Sequence, residues 1–76
     1  MKVYVLAEES VDMPEFEFNI LGVFKDRKEA SIRMLDELDK RFCEGFEENY
    51  NRDNTEISLS SGSLDVVYYI KEMELQ

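Results

Sequence analysis

The stretch Phe16-Glu17-Phe18-Asn19-Ile20-Leu21-Gly22-Val23-Phe24, followed by Lys25-Asp26-Arg27-Lys28-Glu29-Ala30 and an amphipathic run to Phe42, decides the fold. Apolar residues alternate up to Phe24, as in a strand, and within about three residues the period becomes that of a helix. Two such elements must pack back to back. Asp26 and Glu29 are spaced as a capping box, the pattern that satisfies the orphan amides of a first helical turn. Phe16, Phe18 and Ile20 share one strand face, whereas Leu21 and Val23 fall on the other. The change of phase at Gly22 predicts a bulge there.

Upstream, the consecutive apolar residues Val3-Tyr4-Val5-Leu6 predict a strand from Lys2 to Ala7 with neighbours on both sides. Glu8 to Glu15 carries Glu8, Glu9, Asp12, Glu15 and Pro14 with no base, and is expected to be a solvated loop. Downstream, Ala30, Met34, Leu35, Leu38 and Phe42 form a helical stripe, with Glu29, Arg33, Asp36, Glu37, Lys40 and Glu44 opposite. Glu29 with Arg33, Asp36 with Lys40 and Glu37 with Arg41 are acid-first pairs one helical turn apart. Gly45 predicts the helix end, although Phe42, Phe46 and Tyr50 keep a four-residue spacing that would suit one more turn.

Asn49 to Asn54 is dense in turn formers and is expected to be a loop. Ile57 and Leu59 alternate with Ser58 and Ser60, Ser61-Gly62 stands where a tight turn belongs, and Leu64 to Ile70 resumes as strand, which is a hairpin signal. In the last strand Leu64, Val66, Tyr68 and Ile70 share one face, and Val67, Tyr69, Met73 and Leu75 the other. The expected fold is therefore a single α+β domain over residues 1–76, ordered β-β-α-β-β. Its four-stranded antiparallel sheet has the first and last strands in the middle and one helix packed on one face. The other face is left without cover, and Val67 and Tyr69 with one side of the first strand are expected to form a homodimer face.

A chain of 76 residues buries only about 60% of its unfolded surface, so its stability margin is thin. With one cysteine, Cys43, and no histidine, neither an internal disulfide nor a thiolate or imidazole zinc site is available, and Cys43 is expected to be a small, partly buried hydrophobe. The opening apolar run is too short for a signal-peptide core or a membrane span, which predicts a cytoplasmic protein with no membrane partner. Eighteen acids against nine bases, net charge −9, argue against direct nucleic-acid binding, since phosphate contacts need Lys and Arg to displace counterions. A basic protein is the expected partner.

No catalytic signature is present: three glycines and no histidine supply no phosphate cradle, nucleophile elbow or imidazole base. The expectation is a non-enzyme with no catalytic residue, metal or cofactor. Asn49, Asn51 and Asp53 imitate the first ligands of a calcium loop, but Asn54 stands where glycine is needed and Ser60 where the bidentate glutamate is needed. Folding the four strands as above gathers Glu8, Glu9, Asp12, Glu15, Glu17, Glu44, Glu47, Glu48, Asp53, Glu56, Glu72 and Glu74 at one pole, with Lys2, Lys25, Arg27 and Lys28 at the other. Such a cluster steers a basic partner, within a screening length of about 8 Å at physiological salt. Glu44, Glu47, Glu48 and Asp53, with Phe46 and Tyr50 interleaved as aromatic anchors, are the expected partner-binding residues.

Val3-Tyr4-Val5-Leu6, Ile20-Leu21-Gly22-Val23-Phe24 and the following Glu29-Ala30 resemble a group of small bacterial and phage-borne proteins of unknown function. In these a VYVL strand precedes an I-hydrophobic-G-V-aromatic strand and a short helix. The resemblance covers the first half. It implies a compact sheet-and-helix fold and a mobile-element origin, and it brings no functional residues. With the charge, it frames the expected function as a small acidic protein-binding module, in the manner of an anti-CRISPR inhibitor or nucleic-acid mimic, acting on a basic, nucleic-acid-binding host protein. The alternative is a homodimeric accessory domain.

Overall fold

The structure, a computed structural model, describes residues 1–12, 14–53 and 55–75. It contains β1 (Lys2–Asp12), β2 (Glu15–Phe24), α1 (Arg27–Cys43), β3 (Glu47–Arg52), β4 (Glu56–Ser61) and β5 (Leu64–Glu74). All strand pairings are antiparallel, in the order β2-β1-β5-β4-β3. The expected four-stranded β-β-α-β-β arrangement is thus corrected to five strands in the order β-β-α-β-β-β. The added strand is β3, which occupies most of the segment expected to be a loop; Asn54, the last residue of that segment, lies outside the described residues. No apolar alternation marks Glu47–Arg52, and every residue in it is exposed. It is a strand because β4 offers it a backbone edge and because Asn49 bridges to Ser58 (3.3 Å) and Ser60 (3.0 Å) on that neighbour.

The acidic loop expected at Glu8–Glu15 is also corrected, since β1 runs on to Asp12 and β2 begins at Glu15. Pairing with β2 on one side and β5 on the other satisfies both backbone edges, so polar side chains are carried along a strand that their own propensity does not favour. β2 is bulged one residue before the expected Gly22: Leu6 faces Gly22 and Ala7 faces Ile20, which leaves Leu21 as the extra residue. A Cβ at Gly22 would lie 2.8 Å from Cε2 and Cζ of Phe24, so the glycine gives that ring its place over the strand.

Asp26 caps α1, its Oδ1 accepting from the Lys28 amide at 2.9 Å. Glu29 lies in the first turn, but among the described residues it makes no reciprocal bond to the Asp26 amide. The helix ends as expected at Gly45 (φ +96), where the Phe46 amide donates to the Arg41 carbonyl (3.1 Å) and the Gly45 amide to the Phe42 carbonyl (3.1 Å). This is a Schellman closure, and it turns Phe46 back under the helix with the Arg41 guanidinium 5.1 Å from its ring centroid. The buried seam of α1 is Ala30, Met34 and Leu38. Leu35 and Phe42, expected inside, are exposed, because the next seam position is taken by Arg41 reaching the sheet. On the outer face Asp36 meets Lys40 at 3.8 Å, while Glu37 pairs with Arg33 (2.9 Å) and Lys40 (3.6 Å) instead of Arg41. Cys43 is exposed, not partly buried, since it lies on the solvent side of the last turn.

The core lies between α1 and one sheet face, where Leu6, Ile57, Leu59, Val66 and Tyr68 meet Met34, Leu38 and Phe46. Burying side chains of this size stabilises by roughly 1.5–3 kcal/mol each. The molecule is a slab of 41 × 24 × 18 Å, one sheet and one helix thick. Among the described residues no helix is long and apolar enough to cross a membrane.

Candidate functional site

Strand pairing sorts the side chains into two faces. On the helix side, Leu6, Glu8, Ser10 and Asp12 of β1 stand beside Gly22, Asn19, Glu17 and Glu15 of β2 and Ile70, Tyr68, Val66 and Leu64 of β5. On the other, open side stand Val5, Ala7, Glu9 and Val11 of β1, Val23, Ile20, Phe18 and Phe16 of β2, and Lys71, Tyr69, Val67 and Asp65 of β5. Val3 and Met73 extend this face towards the chain termini.

The open face is the larger feature. Phe16, Phe18, Ile20 and Val23 are 60, 48, 60 and 61% exposed, in one row along the edge strand β2. Large apolar side chains so open on a paired strand have neighbours on one side only, and here the helix has gone to the opposite face. Val67 and Tyr69 lie on this face as expected, half-buried among neighbouring side chains. Tyr69 donates from its hydroxyl to Glu9 Oε1 at 3.3 Å, and burial followed by the Glu9 carboxylate raises its pKa above the ordinary phenol value. Towards β3 the face turns polar, with the Asn49–Ser58–Ser60 ladder and Tyr50, whose hydroxyl meets Glu56 (3.1 Å) and whose ring lies 4.9 Å from the Arg52 guanidinium carbon.

A second feature is a cleft of about 280 Å³ on the helix side, lined by Glu8, Ser10, Asp12, Glu15, Glu17, Arg41 and Leu64. It lies where α1 stops short of the upper corner of the sheet. Arg41 reaches into it, its Nε donating to the Tyr68 hydroxyl (2.9 Å) and its Nη2 to Glu8 Oε2 (3.5 Å). Burial pushes the Tyr68 phenol up to about 12, with Arg41 opposing and Glu8 adding. For Arg41, burial works against the charged form, but Tyr68, Glu8 and Glu44 outweigh it and its pKa is raised. Glu8 is thereby engaged, while Glu15 and Glu17 stay exposed. Among the described residues no three His, Cys, Asp or Glu side chains converge in a metal-binding arrangement.

The expected single acidic pole is split. Glu72 and Glu74 lie beside the N-terminus, where Glu72 meets Lys2 (3.9 Å) and Tyr4 (3.2 Å) and Glu74 meets the α-amino group (3.0 Å). They lie there because β5 runs antiparallel to β1, which sets Lys2 against Glu74. Of the expected partner-binding residues, Glu44 caps the helix and pairs with Arg41 at 3.5 Å. Glu47 and Glu48 open β3, and Asp53 (φ +52) sits in the turn at its far end, roughly 17 Å along the strand. Phe46 is 7% exposed and belongs to the core, so it cannot serve as an aromatic anchor. Tyr50 remains exposed on the open side.

The aromatic row of β2 was visible in sequence as an alternating set, but not as an uncovered one. No protein-family model, no curated protein and no solved structure matches this chain.

Proposed function

We propose that this chain is a non-catalytic protein-binding module whose working surface is the open face of its sheet. The observation that carries this reading is the row Phe16, Phe18, Ile20 and Val23, exposed side by side and continuous with the half-buried Val5, Val67 and Tyr69. A three-strand strip along β2, β1 and β5 measures roughly 35 Å by 14 Å, about 500 Å². That is at the upper end of apolar patches on monomeric proteins, where such patches serve recognition. Most acids stand on the helix side and at the ends, which leaves Glu9 and Asp65 as the acids of this strip.

A second reading has its own support. The corner of Glu8, Asp12, Glu15 and Glu17 offers carboxylates against a single guanidinium, and Glu48, opposite Leu59 on β4, adds another on the helix side at the same end of the sheet. This arrangement suits a basic protein, including one that binds nucleic acid, approaching from the helix side.

Photo-crosslinking distinguishes the two. A benzophenone side chain placed at position 18 reports the open face, one at position 15 the acidic corner, and one at position 35 the outer helix. Adducts from position 18, with little from 35, are expected. Adducts from position 15 alone would transfer the function to the acidic corner, and adducts from neither would remove both readings.

A further inference from the structure

The occupant of the open face can be named from its area and its charges, given the open-face reading above. We infer that it is a second copy of this chain, stacked sheet on sheet as a sandwich with the two helices outermost.

Area is the first argument. Two strips of about 500 Å² pressed together remove on the order of 1,000 Å² from water before side-chain relief is added, the threshold for a specific interface. The slab is only 18 Å thick, so each copy lacks the third layer that would bury the aromatic row. Stacked sheets sit about 10 Å apart, close enough for Phe18 and Ile20 to interdigitate with their counterparts.

Charge is the second. A chain of net charge −9 repels its own copy unless most of its acids point away from the contact, and along the edge strand β2 they do. Alternation on β2 sends Glu15 and Glu17 to the helix side and the aromatics to the open side. Within the apolar strip the charges are Glu9, Asp65 and Lys71, and Lys71 makes no ion pair among the described residues. Successive open-face rungs of β1 and β5 are Val5 with Lys71, Ala7 with Tyr69, and Glu9 with Val67. A two-fold axis crossing the strands at the middle rung exchanges the outer two, setting Lys71 of each copy over the Glu9–Val67 rung of the other. Both ion pairs form at once, as an isologous contact requires. Glu56, level with the axis on β4, is drawn towards the far edge by Arg52 (3.6 Å) and Tyr50 (3.1 Å).

Sedimentation equilibrium of the full chain over a micromolar-to-millimolar series tests this. The wild type should dimerise, and Phe18→Glu should be monomeric throughout with an unchanged far-ultraviolet spectrum, because the side chain is exposed in the single copy. Lys71→Glu and Glu9→Lys should each weaken the dimer about ten-fold, and the double swap should recover it. A wild type that stays monomeric at millimolar concentration overturns the second copy. If adducts with a different protein still form from position 18, the open-face reading survives that failure; if none form, it falls too. A dimer indifferent to Phe18→Glu places the contact elsewhere, and a double swap weaker than both single variants overturns the axis at Ala7–Tyr69.

Discussion

At Gly62 the backbone carries φ +60 at the first of the two turn positions between β4 and β5, and Ser63 has no positive φ, which fits the primed turn that takes Gly-X. The space around the missing Cβ is open, so the requirement is conformational and not steric. Gly62→Val should therefore cost about 1–2 kcal/mol, several degrees of melting temperature in a domain this small, whereas Gly62→Asn should cost much less. Thermal melts followed by circular dichroism decide it; equal losses for both would show that side-chain bulk matters there. Tyr68 gives a pH dependence. Its folded pKa, about 12, lies above the ordinary 10.0, so the native state holds this proton more tightly than the unfolded chain. Its contribution is complete below pH 10 and is lost as pH rises towards 12. Tyr4, Tyr50 and Tyr69 are raised too and act in the same direction. Tyr68→Phe should flatten the alkaline fall of stability without abolishing it, measured by denaturant titration at successive pH values. An unchanged slope would mean that Tyr68 ionises equally in both states.

At the scale of elements, the seam of α1 separates what sequence shows from what it does not. Leu35 and Leu38 occupy the same apolar stripe in sequence, yet Leu38 is buried and Leu35 is 57% exposed. Leu38→Ala should destabilise by about 2–5 kcal/mol and Leu35→Ala by well under half of that, read from denaturant midpoints. Similar losses would rotate the helix from where it is placed here. The stripe was legible because the 3.6-residue period is a property of the chain itself; its exact centre was not, because Arg41 takes an inward position that its charge argued against. Long-range partners supply the difference, since Tyr68 and Glu8 lie on β5 and β1. β2, its bulge and the β4–β5 hairpin were legible for the same local reason. β3 and the second half of β1 were not: Glu47–Arg52 and Glu8–Asp12 have turn-like or charged composition, and only pairing with distant strands makes them extended. Val67 and Tyr69 were placed on the uncovered side by alternation alone. The exposure of Phe16, Phe18 and Ile20 needed the strand order, which sets β2 at an edge.

For the molecule as a whole, one helix and a five-stranded sheet leave a two-layer body with an apolar third side. β2 is ten residues long, lies at the sheet edge, and carries no lysine and no proline to blunt it. A closed two-fold contact would bury the apolar face of this strand and leave the carboxylates of Glu15 and Glu17 in water on the other side, while the backbone edge itself is interrupted by the bulge at Leu21. The central claim is that the open face, and not the helix or the acidic ends, is where a second copy of this chain docks. Hydroxyl-radical footprinting across a concentration series tests it most directly, because exposed aromatic and sulfur-bearing side chains stand on both sides of the slab. Phe16, Phe18 and Met73 should lose reactivity together as concentration rises, while Phe42 on the outer helix keeps its own. Protection of Phe42 with Phe16 and Phe18 unchanged would contradict the claim.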